Sequence, residues 1–292
     1  MVKGTTVGIG TGSMTILDEL AAHARERVAA ARDERPLERL MAEAQNLTCD
    51  TGFPFERALR REARERGIAF ICECKRASPS RGLIAPDFPC LDIAREYEAA
   101  GAAAISVLTE PRWFLGSDGY LREIAAAVSV PCLRKDFIVD EYMIWEAKLL
   151  GASAVLLIVS LLDAAALARY IGLCDSLGLS ALVEAHDGEE VRSALDAGAR
   201  AVGVNNRDLR DFSVDMGNSG RLRELVPQET LFVAESGIRT PEDVAALLSA
   251  GADAVLVGEA LMRAPDKKAA LDSLRGVPGP FGREARDIPE GL

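Results

Sequence analysis

The sequence predicts an α/β protein of the (β/α)8, or TIM-barrel, class with an N-terminal helical extension, on three observations. The first is a repeat. GAAAISV at 101, GASAVLLIV at 151, GARAVGV at 198 and GADAVLV at 251 are one element, a helix-ending glycine followed by a buried strand. The second is what lies between: FICECK before the first copy, then VPCLRK, LSALVEA and TLFVAES, which halve the period to about 25 residues and bring the strands to eight. The third is a set of helical segments alternating with those strands, over 91–100, 119–128, 141–150, 164–177, 189–197, 217–225, 241–250 and 267–274. A doubly wound open sheet is the alternative, but the glycine-rich fingerprint expected after its first strand is absent.

Each element has a local cause. Residues 1–13 are rich in Gly and Thr without a usable period and read as a disordered leader. From Thr15, an N-cap, ILDELAAHARERVAAARDE puts Ile16, Leu20, His23 or Ala24, and Arg27 or Val28 on one stripe of an amphipathic helix that Pro36 stops. A shorter helical piece follows, then FERALRREARERG, which Gly67 ends. Asp140, Asp163 and Thr240 are N-caps, and Thr240-Pro241-Glu242-Asp243 adds Pro at the first helical position with acids in the first turn. The expected organisation is one barrel domain over 14–276, with the helical extension at about 14–66, and a mobile tail over 277–292.

Composition excludes several function classes. A net charge of -11 disfavours nucleic acid and anionic membrane as partners, and the apolar runs are too short to span a bilayer. Without a basic-then-apolar N-terminus, the expected location is the cytoplasm. Six cysteines show no CxxC spacing, and with only His23 and His186 available neither a disulfide framework nor a metal centre is indicated. His186 follows a strand end and reads as an ordinary loop histidine.

The chemistry is expected at the C-terminal strand ends. Ile68–Cys74 is an apolar run that ends in charge: Ile71, Glu73 and Lys75 share one face while Phe70, Cys72 and Cys74 take the other. By the same parity the third strand offers Leu133, Lys135 and Phe137, the fifth Leu182 and Glu184, and the sixth Gly203, Asn205 and Arg207. The seventh and eighth end in Glu235-Ser236-Gly237 and Val257-Gly258-Glu259, whose glycines let backbone N–H groups approach an anion ahead of a helix, the usual phosphate position in this fold. Trp113, Phe114 and Phe137 supply walls for a flat ring. The parts describe a pocket for a small phosphorylated molecule with an aromatic end, acted on by proton transfer without metal or nucleotide cofactor. An isomerase, a Schiff-base aldolase and a non-catalytic barrel that binds a phosphorylated metabolite stay open on the residues alone.

ECKRASPSRG, SVLTEPRWFLGS, PCLRKDFIVDEYMIWEAKLLGA, ALVEAHD, VGVNNRDL, AESGI and LVGEALM, in this order and spacing, resemble the indole-3-glycerol phosphate synthase family of tryptophan biosynthesis, from about Thr15 to Leu274. The resemblance implies closure of 1-(2-carboxyphenylamino)-1-deoxyribulose 5-phosphate to an indole with loss of carbon dioxide and water, by a monomer with no cofactor. It implies Lys135 as general acid, Lys75 at the anthranilate carboxylate, Glu184 as base for dehydration, and Glu73 orienting Lys75 and Asn205. Ser78, Asn205 and Arg207 would bind substrate; Phe114, Phe137 and Leu209 would line the aromatic pocket; the backbone at Ser236, Gly237, Gly258 and Glu259 would hold the phosphate. Some members carry Ser where this chain has Glu259, so its carboxylate is expected to point away. A lysine serves as acid if burial and neighbouring charge lower its pKa toward the working pH; Lys75 and Lys135 would depress each other while Glu73 and Glu184 counter this, so the more acidic of the two is left open. The loop RASPSRGLIAPD is expected to be flexible and to close over substrate.

Overall fold

The computed structural model describes residues 15–208 and 212–276. Among these, eight parallel strands close into a barrel: Ala69–Cys74, Ala104–Leu108, Cys132–Lys135, Ala154–Ile158, Ser180–Ala185, Ala201–Asn205, Leu231–Glu235 and Ala254–Val257, numbered first to eighth below. The first strand pairs with both the second and the eighth. Each glycine of the four-fold repeat follows a helix with φ of +84, +86, +89 and +88, the left-handed turn that lets the chain drop straight into the next strand. Seven of the eight expected barrel helices differ from the observed ones by only one or two residues at an end, as with Cys90–Ala99 and Gly217–Arg223, and Lys267–Leu274 agrees at both ends. A short helix at Glu259–Arg263 and a 3-10 turn at Val159–Leu161 are additions that the periodicity does not signal. The leader, the tail and Leu209 lie outside the described residues.

Three helices precede the barrel: α1 (Ile16–Glu34), α2 (Leu37–Gln45) and α3 (Pro54–Arg66). The barrel's inward face explains why two of them are needed. Ala69, Ala104, Ala154, Ala201 and Ala254 line its N-terminal level, and such small side chains leave space that Phe55 and Leu59 of α3, both fully buried, occupy in the same apolar cluster. Glu56 is locked to Arg200 at 2.9 Å, and Arg60 donates to the Glu229 carbonyl at 2.7 Å, so α3 is held at the entrances of the sixth and seventh strands.

α1 covers the opposite end. Its capping box at Thr15 and Asp18 starts it, and Leu20, Ala24 and Val28 are buried, as its stripe predicts. Arg27 grips Asp136 through two hydrogen bonds of 2.6 and 3.1 Å, and Arg32 reaches Asp140 at 2.7 Å. Asp136 also accepts from the Thr109 hydroxyl at 2.6 Å, which ties α1 to the second and third strand ends where Lys135 emerges. Next to it, the fully buried Arg134 is satisfied by Glu146, Asp118 and the Met143 carbonyl, a network whose members must stay complete because a buried guanidinium tolerates no loss of partner.

The helix Pro241–Ser249 after the seventh strand is also pinned at its start. Thr240 accepts from the Asp243 amide, and the Asp243 carboxylate accepts from the Thr240 and Arg239 amides at 2.9 Å. Thr240→Ala removes the cap oxygen and is expected to cost about 1 kcal/mol, read as a lower urea midpoint with an unchanged m-value.

Candidate active site

Strand register brings the charged groups to one level. Glu73 stands beside Ser106, Lys135 beside Leu108, Glu184 beside Ile158 and Gly203, and Glu235 beside Asn205 and Leu256. All face the cavity at the C-terminal end of the barrel, and every sequence-predicted site residue among the described ones lines it: Glu73, Lys75, Ser78, Phe114, Lys135, Phe137, Glu184, Asn205, Arg207, Ser236, Gly237, Gly258 and Glu259.

Two lysine–carboxylate pairs occupy the floor. Lys75 Nζ donates to Glu73 Oε1 at 2.6 Å, and the Ser106 hydroxyl donates to the other Glu73 oxygen at 3.3 Å. Lys135 Nζ lies 3.4 Å from Glu184 Oε2 and 3.7 Å from Glu235 Oε2. Asn205 donates to Glu184 Oε1 at 3.1 Å, so the amide expected to be oriented by Glu73 is held by Glu184 instead. The reason is position: Asn205 and Glu184 project from adjacent strands, whereas Glu73 lies across the mouth.

Three carboxylates and two ammonium groups cannot all stay charged without imbalance. Glu73, Glu184 and Glu235 are 4%, 1% and 2% exposed, so bulk water does not settle the difference. Burial pushes Glu235 up to about 8, helped by Glu184 and Glu73 and resisted by Lys135, so this carboxyl keeps its proton at neutral pH. Burial also works against Glu73 and Glu184, but their lysine partners outweigh it and hold both below the ordinary range. At Lys135 the carboxylates win over burial. Burial lowers its pKa, yet Glu184, Glu235 and Glu73 together raise it above the usual lysine value, so the resting group is an ammonium and not a lysine tuned toward neutrality.

Glu235 is a cavity carboxyl that sequence reasoning misses. Its parity with Leu231 and Val233 marks it as inward, but it stands directly before Ser236-Gly237, and in the sequence it reads only as part of the phosphate turn. Space for it is made by Gly203, where an added Cβ would sit 2.2 Å from Glu235 Oε1. Gly258 does the same for the first strand: an added Cβ there would meet Glu73 Oε1 at 2.6 Å and Lys75 Nζ at 2.9 Å.

The rim carries three arginines and an apolar wall. Arg81, Arg207 and Arg239 all line the cavity, and burial together with the positive charge of Arg81 and Arg239 lowers the Arg207 pKa. Only Arg207 is marked by the sequence, since loop conformation decides where the other two point. Ser236 and Gly237 both take positive φ, +67 and +84, turning the backbone at the end of the seventh strand. Glu259 does not simply point away. Its carboxylate is shared between Arg81 at 3.1 Å and Arg263 at 3.3 Å, which neutralises it at the rim.

Phe114 and Phe137 face each other with centroids 5.9 Å apart, and Ile16 and Leu20 of α1 add walls that the sequence does not mark as such. Glu110, fully buried, accepts from the Arg112, Trp113 and Phe114 amides and so fixes the loop that presents Phe114. The first loop contains a short element that the sequence does not mark. Ala77–Ser78 and Gly82–Leu83 pair as a small antiparallel ribbon, and the Ala77 amide donates to the Phe114 carbonyl at 3.2 Å.

Residues 17–274 match the family model described as indole-3-glycerol phosphate synthase. The chain belongs to the indole-3-glycerol phosphate synthase family. A protein of that name from Ruminiclostridium cellulolyticum is 55% identical over 261 residues, covering 89% of this chain and 99% of that one. Another, from Lachnoclostridium phytofermentans, is 48% identical over 269 residues, covering 90% and 99%. Solved barrels of other families share the fold alone: a thiamine phosphate pyrophosphorylase from Pyrococcus furiosus at TM-score 0.55 and 19% identity covers 73% of this chain and 96% of its own, and a 3-hexulose-6-phosphate synthase at 0.57 and 15% covers 72% and 99%. Cations, carboxylates and aromatic walls converge in the cavity. No helix among the described residues is long and apolar enough to cross a membrane.

Proposed function

We propose that this member of the family closes 1-(2-carboxyphenylamino)-1-deoxyribulose 5-phosphate to indole-3-glycerol phosphate, a carboxy-lyase step of tryptophan biosynthesis, with Lys135 as acid and Glu184 as base. The observation that carries the reading is the Lys135 ammonium, held between Glu184 and Glu235 and flanked on its own strand face by Leu133 and Phe137. The substrate's phosphate goes to the rim at Ser236, Gly237, Gly258 and Glu259, with Arg207 beside it. Its benzoate ring goes between Phe114 and Phe137, with Leu209 as a further wall, and its carboxylate meets Lys75. Ser78 and Asn205 bind the ribulose chain.

The steps balance on these residues. Lys135 gives a proton to the ketone oxygen as the ring carbon bearing the carboxylate attacks the carbonyl carbon; one carbon–carbon bond forms, and the carboxylate then leaves as carbon dioxide. The new hydroxyl departs as water with a proton from a lysine, and Glu184 accepts the carbon-bound proton whose loss makes the indole aromatic. A raised Lys135 pKa keeps the donor loaded throughout the physiological range. It also disfavours a Schiff-base role, which needs a free amine.

The test is fluorescence of the indole product from the named substrate, run with and without EDTA. Turnover is expected to survive the chelator, because proton transfer is assigned to lysine and glutamate and no group of three His, Cys, Asp or Glu placed to hold a metal occurs among the described residues. Loss of turnover that zinc or magnesium restores would overturn the assignment. The protein is further read as a cytoplasmic monomer, which fractionation and sedimentation would check.

A further inference from the structure

His186 stands between two carboxylates. Its backbone amide donates to Glu190 Oε2 at 2.7 Å, and its Nδ1 lies 3.1 Å from the same oxygen. Its Nε2 is 3.5 Å from Glu184 Oε1, the oxygen that also accepts from Asn205. Asn218, from the helix after the sixth strand, donates to the His186 carbonyl at 3.0 Å and fixes the chain there.

A neutral imidazole has one N–H and one bare nitrogen, so it would set a lone pair toward one of these two carboxylates; only the imidazolium turns an N–H toward each, hydrogen-bonding Glu190 at 3.1 Å and standing at ion-pair distance, 3.5 Å, from Glu184. We propose that His186 is a positioning residue for Glu184, standing as an imidazolium between Glu184 and Glu190 so that Glu184 stays ionised and its Oε1 stays oriented for the base step. The inference rests on the reading of Glu184 as base.

The surrounding charge agrees. Burial alone would lower the His186 pKa, but Glu190 and Glu184 raise it above the ordinary histidine value; Glu235, from the seventh strand, adds to this only where it has lost its proton. Lys135 faces Glu184 from the third strand on its other oxygen. Asp187 and the sixth-strand loop's Asp208, Asp215 and Arg207 line a second cavity of about 420 Å3 on the outer side of His186. Glu184 is therefore bracketed by two cations, one on each oxygen. Lys135 gives up its proton in the reaction, and the amine it leaves, 3.4 Å away, can take back the one Glu184 accepts; the imidazolium takes no proton but keeps the carboxylate the favoured form of Glu184.

The chain has only two histidines, which makes the test direct. Imidazole nitrogen NMR of the full-length protein, with His23→Gln to assign the signals, should show His186 doubly protonated above the usual titration range; Glu184→Gln and Glu190→Gln should each bring its titration down. In kinetics, His186→Gln should move the acid limb of the kcat/KM profile up by about one pH unit, a loss that approaches roughly tenfold only at pH values below the wild-type limb, with little change near pH 8. A merely structural histidine would lower activity equally at every pH. A neutral ring by NMR at pH 6, or an acid limb that does not move while Glu184→Gln is inactive, overturns the inference. If Glu184→Gln itself stays active, the base assignment falls first and the role of His186 falls with it.

Discussion

Lys135→Met is expected to lower kcat by about two to four orders of magnitude, the usual worth of a general acid, while a product analogue still binds. The split follows from geometry. Lys135 sits on the cavity floor between Glu184 and Glu235, whereas the arginines and the turn at Ser236-Gly237 assigned to the phosphate are at the rim. An interaction made chiefly in the transition state takes kcat and kcat/KM down together. A side effect has a known sign: without the ammonium, Glu184 and Glu235 lose their shared cation, and both carboxyls should hold protons to higher pH. Lys75→Met should raise KM as well, because Lys75 is assigned to the substrate's carboxylate. If Lys135→Met kept more than about a tenth of kcat, less than the typical loss, the acid would be reassigned, with Lys75 the first candidate.

Gly237→Asp should raise KM about a hundredfold, for two reasons that can be separated. The residue has φ of +84, where a side chain is strained, and an added Cβ would come within 2.6 Å of both Met216 Sδ and Val214 Cγ1. The new carboxylate would also stand at the assigned phosphate seat, where like charge costs several kcal/mol. Gly237→Asn shares the backbone and shape but not the charge, and Asn tolerates positive φ. Steady-state KM for the two variants, with inorganic phosphate as competitor, divides the effect: a gap of roughly tenfold or more between Asp and Asn is about 1.4 kcal/mol of repulsion. An unchanged KM in Gly237→Asp would place the phosphate elsewhere.

Strand parity makes much of this site legible in the amino-acid order. Glu73 with Lys75, Lys135 with Phe137, and Glu184 with Leu182 follow from alternation alone, and each faces inward. Glu235 obeys the same rule, but its neighbours Ser236 and Gly237 signal a turn strongly enough to mask it. Ile16 and Leu20 show why periodicity stops short: an apolar stripe says that a helix face is covered, not that it roofs a cavity. Arg81 and Arg239 depend on loop paths that Gly, Pro and Ser leave undetermined, and the ribbon at Ala77–Leu83 is too short to leave an alternating pattern. The direction of the Lys135 shift is illegible for a different reason, since it turns on how many carboxylates converge from strands far apart in the chain.

Replacing glycine by alanine is a common route to a stiffer, more heat-resistant protein, because the unfolded chain has fewer conformations to lose. Gly258, with φ of -118, offers no backbone objection to that change. Its obstacle, like that at Gly203, is an ionisable side chain standing where the methyl would go. The space a methyl group would fill is taken by the head of a glutamate, so a sequence optimised for rigidity at these two positions would displace the Glu73–Lys75 pair or the Glu235 carboxyl and rewrite the proton inventory of the barrel. Thermostabilising libraries built on this scaffold should therefore hold both positions fixed, since one carbon there trades the enzyme's acid–base balance for a gain on the order of 0.4–1 kcal/mol from the unfolded chain.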